Sequence, residues 1–164
     1  MNSYYFHAQN ALSKIGTKKI INYYKSLGIR LYTVEDNDKF QNHDIDLIMK
    51  ENDKFTTIEV KVDRYQSGNF FLETMSNKEK GIPGCLLTTK SEKLYYYFIN
   101  MKKLYIFNTE DLKDWILKNK CNYREFPVET PVGGGYYTTL GIPVPISTLV
   151  KELNLDKDKD VIII

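Results

Sequence analysis

The segment from Asp44 to Asp63 constrains this chain more than any other, because it reads as two strands joined by one turn, with a polar and an apolar face. Asp44 to Lys50 and Phe55 to Asp63 alternate as strands do, and Glu51-Asn52-Asp53-Lys54 between them suits a hairpin turn. Side chains along a strand point to opposite faces in turn. In the second strand Ile58, Val60 and Val62 point one way, and Glu59, Lys61 and Asp63 the other. In the first, Ile45 and Leu47 oppose Asp44, Asp46 and Ile48. Pairing the two strands brings Asp46 beside Glu59 and Lys61 on one polar face.

Two carboxylates converging on one point repel each other unless a cation lies between them, and oxygen-only ligands suit a hard ion, Mg²⁺ or Mn²⁺. Such an ion polarises a phosphoryl oxygen and lowers the pKa of a bound water. A lysine two residues after the glutamate orients or deprotonates that water and stabilises charge building on the phosphorane. A hairpin with one solvated face would carry the same residue types, and Glu-x-Lys alone is common. The agreement of strand faces lifts the metal-site reading above it.

The rest of the chain predicts one mixed α/β domain over residues 1–164. A helix is expected from Ser3 to about Leu27, broken or kinked at Gly16 and stopped by Gly28. Strands are expected over Ile29 to Val34, Asn69 to Met75, Leu94 to Ile99, Lys103 to Phe107 and Tyr136 to Leu140, with polar loops over Glu35 to His43 and Asn77 to Gly84. In Tyr95-Tyr96-Tyr97-Phe98, alternation predicts half core and half surface. Thr109 is expected to cap a helix running to about Lys118, with acids in its first turn and Lys118 and Lys120 at its end. Leu112, Trp115 and Ile116 share one face of it, which makes Trp115 a core anchor. A short helix over Ile146 to Leu153, capped near Ser147, and an apolar tail from Val161 to Ile164 close the chain.

Composition excludes several classes. With 42% hydrophobic residues the chain is not disordered, and 164 residues bury a core without staples. No apolar run spans a bilayer and MNSYYFHAQN has no signal-peptide core, so a soluble, cytoplasmic protein without a membrane role is expected. Cys85, Cys121, His7 and His43 make no zinc spacing, and both cysteines read as ordinary reduced thiols. A formal net charge of +2 is too small to mark a nucleic-acid binder by itself. Any basic surface would come from Lys14, Lys18, Arg64, Lys78, Lys80 and Lys90, each of which also reads as a solvated charge.

Asp46 followed by Ile58-Glu59-Val60-Lys61 resembles the signature of the PD-(D/E)xK nuclease superfamily. The resemblance extends through Asn69-Phe70-Phe71-Leu72-Glu73, Gly84-Cys85-Leu86-Leu87, Thr88-Thr89-Lys90 and Tyr95 to Phe98, where it is similar to a phage and prophage branch. A weaker echo lies at Ile142-Pro143-Val144-Pro145-Ile146. It implies a restriction-endonuclease-like core, a central mixed sheet flanked by helices. It also implies Mg²⁺ or Mn²⁺ held by Asp46, Glu59 and the Val60 carbonyl, with Lys61 positioning the attacking water. The implied partner is nucleic acid, DNA before RNA, in a bacterial cell or phage-infected host, and a homodimer stays open.

The chain departs from that pattern in two places. The proline is absent, and His43-Asp44-Ile45-Asp46 offers two aspartates, of which Asp46 is favoured because Leu47 and Ile48 follow it and Asp44 is left as an assisting group. Many relatives carry a glutamate in the first helix, whereas Ser3 to Leu27 holds no acid. Gln9, Asn10 or Glu73 would have to take its place. Gly133-Gly134-Gly135 lacks the context of a phosphate cradle and reads as a loop, His7 as a structural histidine, and His43 as a turn residue beside the aspartates. The competing functional reading is a catalytically inactive protein of the same fold that binds nucleic acid or a protein partner. An unrelated α/β interaction protein comes third.

Overall fold

The structure, a computed structural model, describes residues 3–34, 37–132 and 135–164, with the backbone alone for residues 3–10. Its elements, in chain order, are α1 (Ser3–Ser26), β1 (Arg30–Thr33), α2 (Asp38–Gln41), β2 (Leu47–Glu51), β3 (Lys54–Asp63), β4 (Asn69–Asn77) and β5 (Ile82–Pro83). There follow α3 (Cys85–Thr88), β6 (Lys93–Phe98), β7 (Lys103–Asn108), α4 (Thr109–Asn119), β8 (Phe126–Val132), β9 (Gly135–Pro145), α5 (Ile146–Glu152) and β10 (Val161–Ile163). A 3₁₀ turn over Lys120–Asn122 extends α4.

Two sheets form where one was expected. The first has six strands in the order β1-β2-β3-β6-β7-β10, with β3 and β6 parallel and the other neighbours antiparallel. The second has four, β5-β4-β9-β8, all antiparallel. The mixed α/β class with a central mixed sheet flanked by helices is as expected.

Both faces of the six-stranded sheet are covered. Ile20 and Tyr24 of α1 pack on Leu47, Ile58, Val60, Tyr95, Tyr97, Leu104 and Ile106. On the other face Tyr96, Phe98, Tyr105 and Phe107 meet Phe70 and Leu72 of β4, Ile142 and Val144 of β9, and Trp115 of α4. Tyr95, Tyr96, Tyr97 and Phe98 are therefore all buried, not half of them. A two-sided central strand has no solvent face for alternation to mark. Full burial of such a side chain contributes about 1.5–3 kcal/mol.

Several boundaries move for local reasons. The α1 helix runs unbroken through Gly16, because that glycine is a crossing point: a Cβ there would lie 2.5 Å from Val62 Cγ2. Gly28, at φ +78°, ends the turn after it, as expected of a C-terminal glycine. The cap of α4 is Asn108, whose side chain accepts from the Glu110 and Asp111 N–H groups, and Thr109 is the first helical residue. The α5 helix follows Pro145 and takes no side-chain cap from Ser147. The expected loops at 35–43 and 77–84 contain the short α2 and β5. The tail docks: β10 pairs with β7.

Candidate metal and catalytic site

The hairpin forms in the predicted register around Asn52-Asp53, with Leu47 opposite Ile58 and Glu51 opposite Lys54. Asn52 takes φ +54°, a conformation Asn tolerates in a tight turn. The first strand starts at Leu47, not Asp44, so Asp46 sits just past the end of β2. Its N–H donates to the Ile58 carbonyl at 3.0 Å, and its own carbonyl accepts the Val34 N–H at 2.9 Å. Beyond that point β3 has lost its β2 partner. Asp46 Oδ2 fills the gap by accepting the Val60 N–H at 2.8 Å. The N–H and C=O of one strand residue face the same edge, so the Val60 carbonyl shares that edge with the Asp46 carboxylate.

Glu59 projects from β3 toward the same place and is 9% exposed. Its carboxyl hydrogen-bonds that of Asp46, and its Oε2 is buried without a hydrogen-bond partner. Burial, then the charges of Asp46 and Asp44, push the Glu59 carboxyl well above the usual carboxylate range, and Lys61 opposes them only in part. A hard divalent cation suits this donor set, which is all oxygen and includes one buried oxygen with nothing to satisfy it. Among the described residues no group of three or more His, Cys, Asp or Glu side chains gathers as a metal site, so the carboxylates stand as a pair.

Asp44 is near this pair but built into a turn. Its backbone takes φ +50°, its Oδ2 accepts the Thr88 hydroxyl and its carbonyl accepts the Thr89 hydroxyl, both at 2.7 Å. The strand alternation that put Asp44 on the face of Asp46 does not apply there, because residues 44–46 precede β2. His43 Nδ1 donates to the Lys39 carbonyl at 2.7 Å, closing the turn after α2.

Lys61, two residues after Glu59 on the same face, reaches across to the second sheet and pairs with Glu73 of β4. Burial alone would pull its ammonium down. The charge of the Glu73 carboxylate, with its hydrogen bond and the more distant charge of Asp63, outweighs burial and holds it above the usual lysine range. Glu73 is thus at the site as the counter-ion of Lys61, not beside Asp46 and Glu59. Its place on β4 depends on Gly84, where a Cβ would lie 2.1 Å from the Glu73 carbonyl oxygen.

Three features escaped the sequence reading. Cys85 Sγ lies 3.9 Å from Glu73 Oε2 as its weak donor, and burial pushes that thiol up. Asp63 accepts from the Tyr96 hydroxyl at 2.8 Å and the Tyr65 N–H at 2.7 Å, and Tyr96 in turn accepts the Phe71 N–H at 3.1 Å, which ties β4 to β3. The face rule put Asp63 beside Lys61, but nothing in the sequence announced Tyr96 as its partner. Thr88 and Thr89 lie in a segment that carries the resemblance, but nothing in the sequence marked them as the residues that hold Asp44. Of the basic residues, Arg64 follows β3 and stacks over Tyr65, while Lys14, Lys18, Lys78, Lys80 and Lys90 are exposed. Gly133 and Gly134, and the side chains of His7, Gln9 and Asn10, lie outside the described residues.

No known family profile matches the chain, and no curated protein does. Among solved structures it is similar to a bacterial homing endonuclease, with 10% identity over 64% of this chain and 72% of that one and a TM-score of 0.47.

Proposed function

We propose that this protein is a divalent-cation-dependent nuclease of the PD-(D/E)xK type, hydrolysing phosphodiester bonds in nucleic acid, DNA before RNA. The observation that carries the reading is the Asp46–Glu59 carboxyl pair, with Glu59 buried and one of its oxygens unpartnered, beside the Lys61 ammonium.

In this reading Asp46, Glu59 and the Val60 carbonyl hold Mg²⁺ or Mn²⁺, with Asp46 rather than Asp44 as the aspartate ligand, since Thr88 and Thr89 already anchor Asp44. When bound, the ion neutralises the carboxyl pair and polarises the phosphate. Lys61, kept protonated by Glu73, donates hydrogen bonds: it orients the attacking water and stabilises charge on the phosphorane oxygens. A lysine so charged is a poor general base, so the water gives its proton to solvent or to a phosphate oxygen. Glu73 acts through Lys61, and Asp44 through the field it adds at Glu59.

The test is cleavage of linear, nicked, single-stranded and branched DNA, and of RNA, with Mg²⁺ or Mn²⁺. Cutting that needs the metal and is lost in Asp46→Asn and Glu59→Gln supports the reading. A parent protein that cuts none of these substrates and gains no thermal stability from either ion overturns it, since a ligand bound only by the native state must stabilise it.

A further inference from the structure

A cleft of about 440 Å³ opens directly beside Lys61, between the 12–13 stretch of α1, the C-terminal end of β3 and one face of the second sheet. It starts at Val60 and Lys61, so it adjoins the carboxyl pair without including it. That second-sheet face carries Phe71 and Glu73 of β4 and Tyr137 of β9, opposite the face that Phe70 and Leu72 bury. The Phe71 ring occupies the space above Gly141, where a Cβ would lie 2.5 Å from its Cζ. Lack of a side chain at 141 therefore sets one wall of the cleft.

Its charges cancel. The charged residues lining it are Lys61, Asp63, Arg64 and Glu73, two of each sign. Lys61 already pairs with Glu73, and Asp63 with Tyr96 and the Tyr65 N–H. Such a lining is a poor phosphate site and suits an uncharged, planar group with hydrogen-bonding edges. The volume falls within the roughly 300–1,000 Å³ of small-molecule pockets. It admits one nucleotide and not a stacked duplex. At its mouth, Tyr65 is 61% exposed with the Arg64 guanidinium 5.8 Å from its ring centroid.

Resting on the nuclease reading, we infer that this cleft receives one unstacked base of the substrate strand, so that the protein acts on single-stranded or locally unpaired nucleic acid. The phosphate lies over Asp46, Glu59 and Lys61, and the neighbouring base turns into the cleft against Tyr137 and Phe71. Aromatic walls read bases by stacking, which tolerates any sequence.

The experiment measures binding separately from cutting. Fluorescence anisotropy in EDTA follows a labelled oligonucleotide, single-stranded and as its blunt duplex, with the parent, Tyr137→Ala and Tyr137→Phe. The cleft assignment expects the parent to prefer the single strand, Tyr137→Ala to lose about tenfold or more of that affinity with duplex binding unchanged, and Tyr137→Phe to keep it. Equal affinity of the parent for both forms, or equal loss on both in Tyr137→Ala, overturns it even where cleavage is found. A selective loss on the single strand sustains it even where cleavage fails and the nuclease reading falls. Equal melting temperatures of the three proteins exclude a folding defect, and Tyr65→Ala repeats the comparison at an exposed position if Tyr137→Ala does not fold.

Discussion

Lys61 of the six-stranded sheet and Glu73 of the four-stranded sheet form an ion pair across the seam between the two sheets. With side chains 27% and 14% exposed, neither is fully solvated alone. The pair therefore has two jobs, holding β4 against β3 and fixing where the ammonium points.

These jobs separate in a double-mutant cycle. Lys61→Ala strands the Glu73 carboxylate and is expected to cost about 1–3 kcal/mol, the penalty for a charged group left without its partner. At this chain length that is a fall in melting temperature of roughly 2–4 °C per kcal/mol. Glu73→Gln costs less, because the amide oxygen still accepts from Lys61. Lys61→Ala with Glu73→Gln is expected to recover most of the stability and none of the proposed nuclease activity. Chemical denaturation checks the first part and a cleavage assay the second. Additive stability losses would show that the pair contributes nothing across the seam.

Glu59 is costly to the metal-free protein. Its Oε2 is buried unpartnered and its charge is opposed by Asp46 and Asp44. Glu59→Gln removes the charge at nearly the same volume, so without metal the variant is expected to melt higher than the parent at neutral pH, by an amount on the order of 1 kcal/mol. With Mn²⁺ the proposed metal site predicts the reverse order, because the parent alone would gain the stabilisation. Calorimetric scans with and without the ion check both halves.

The same carboxyl gives a pH dependence of defined sign. Glu59 holds its proton well above the ordinary carboxylate range in the folded chain, so between its unfolded and folded values the native state binds more protons than the unfolded one. Metal-free stability is then fully present below the unfolded value and declines as pH rises through the folded one. Metal affinity runs the other way. At the proposed site the ion would displace the proton, so affinity is expected to climb with pH by up to about tenfold per unit until the folded value is passed, then level off. Isothermal titration with Mn²⁺ at several pH values measures the slope, and a flat profile would place the proton elsewhere.

What was legible in the sequence was local. The hairpin could be read because its register follows from alternation and a short Asn-Asp turn: alternation puts Glu59 and Lys61 on one face, and the register brings Asp46 beside Glu59. The rule failed at Asp44, where the chain leaves the strand for a left-handed turn held by Thr88 and Thr89, contacts 44 and 45 residues distant in sequence. The second sheet was half hidden: β8 contains Pro127 and Pro131 and exposes most of its side chains, which are marks of an edge strand and weak signals of any strand. Glu73 could be placed on a strand but not opposite Lys61, because that pairing depends on how two sheets dock. Tyr96 looked like one of four equivalent aromatics, and only the docking of β4 makes it the partner of Asp63.

Gly16 tests the docking of α1 on β3, on which the wall of the cleft at Leu12 and Ser13 depends. Replacing a helical glycine by alanine ordinarily stabilises by about 1 kcal/mol, through the freedom lost by the unfolded chain. Here a Cβ would lie 2.5 and 2.7 Å from the two Val62 methyls, and a β-branched side chain in a strand has little rotamer freedom to yield. Gly16→Ala is therefore expected to destabilise, by about 1–3 kcal/mol as for other overpacked sites. Adding Val62→Ala removes both methyls and is expected to restore stability in the Gly16→Ala background while lowering it in the parent. That reversal, measured by urea denaturation, separates a steric crossing from a simple propensity effect. A stabilised Gly16→Ala would mean that α1 does not approach β3 this closely.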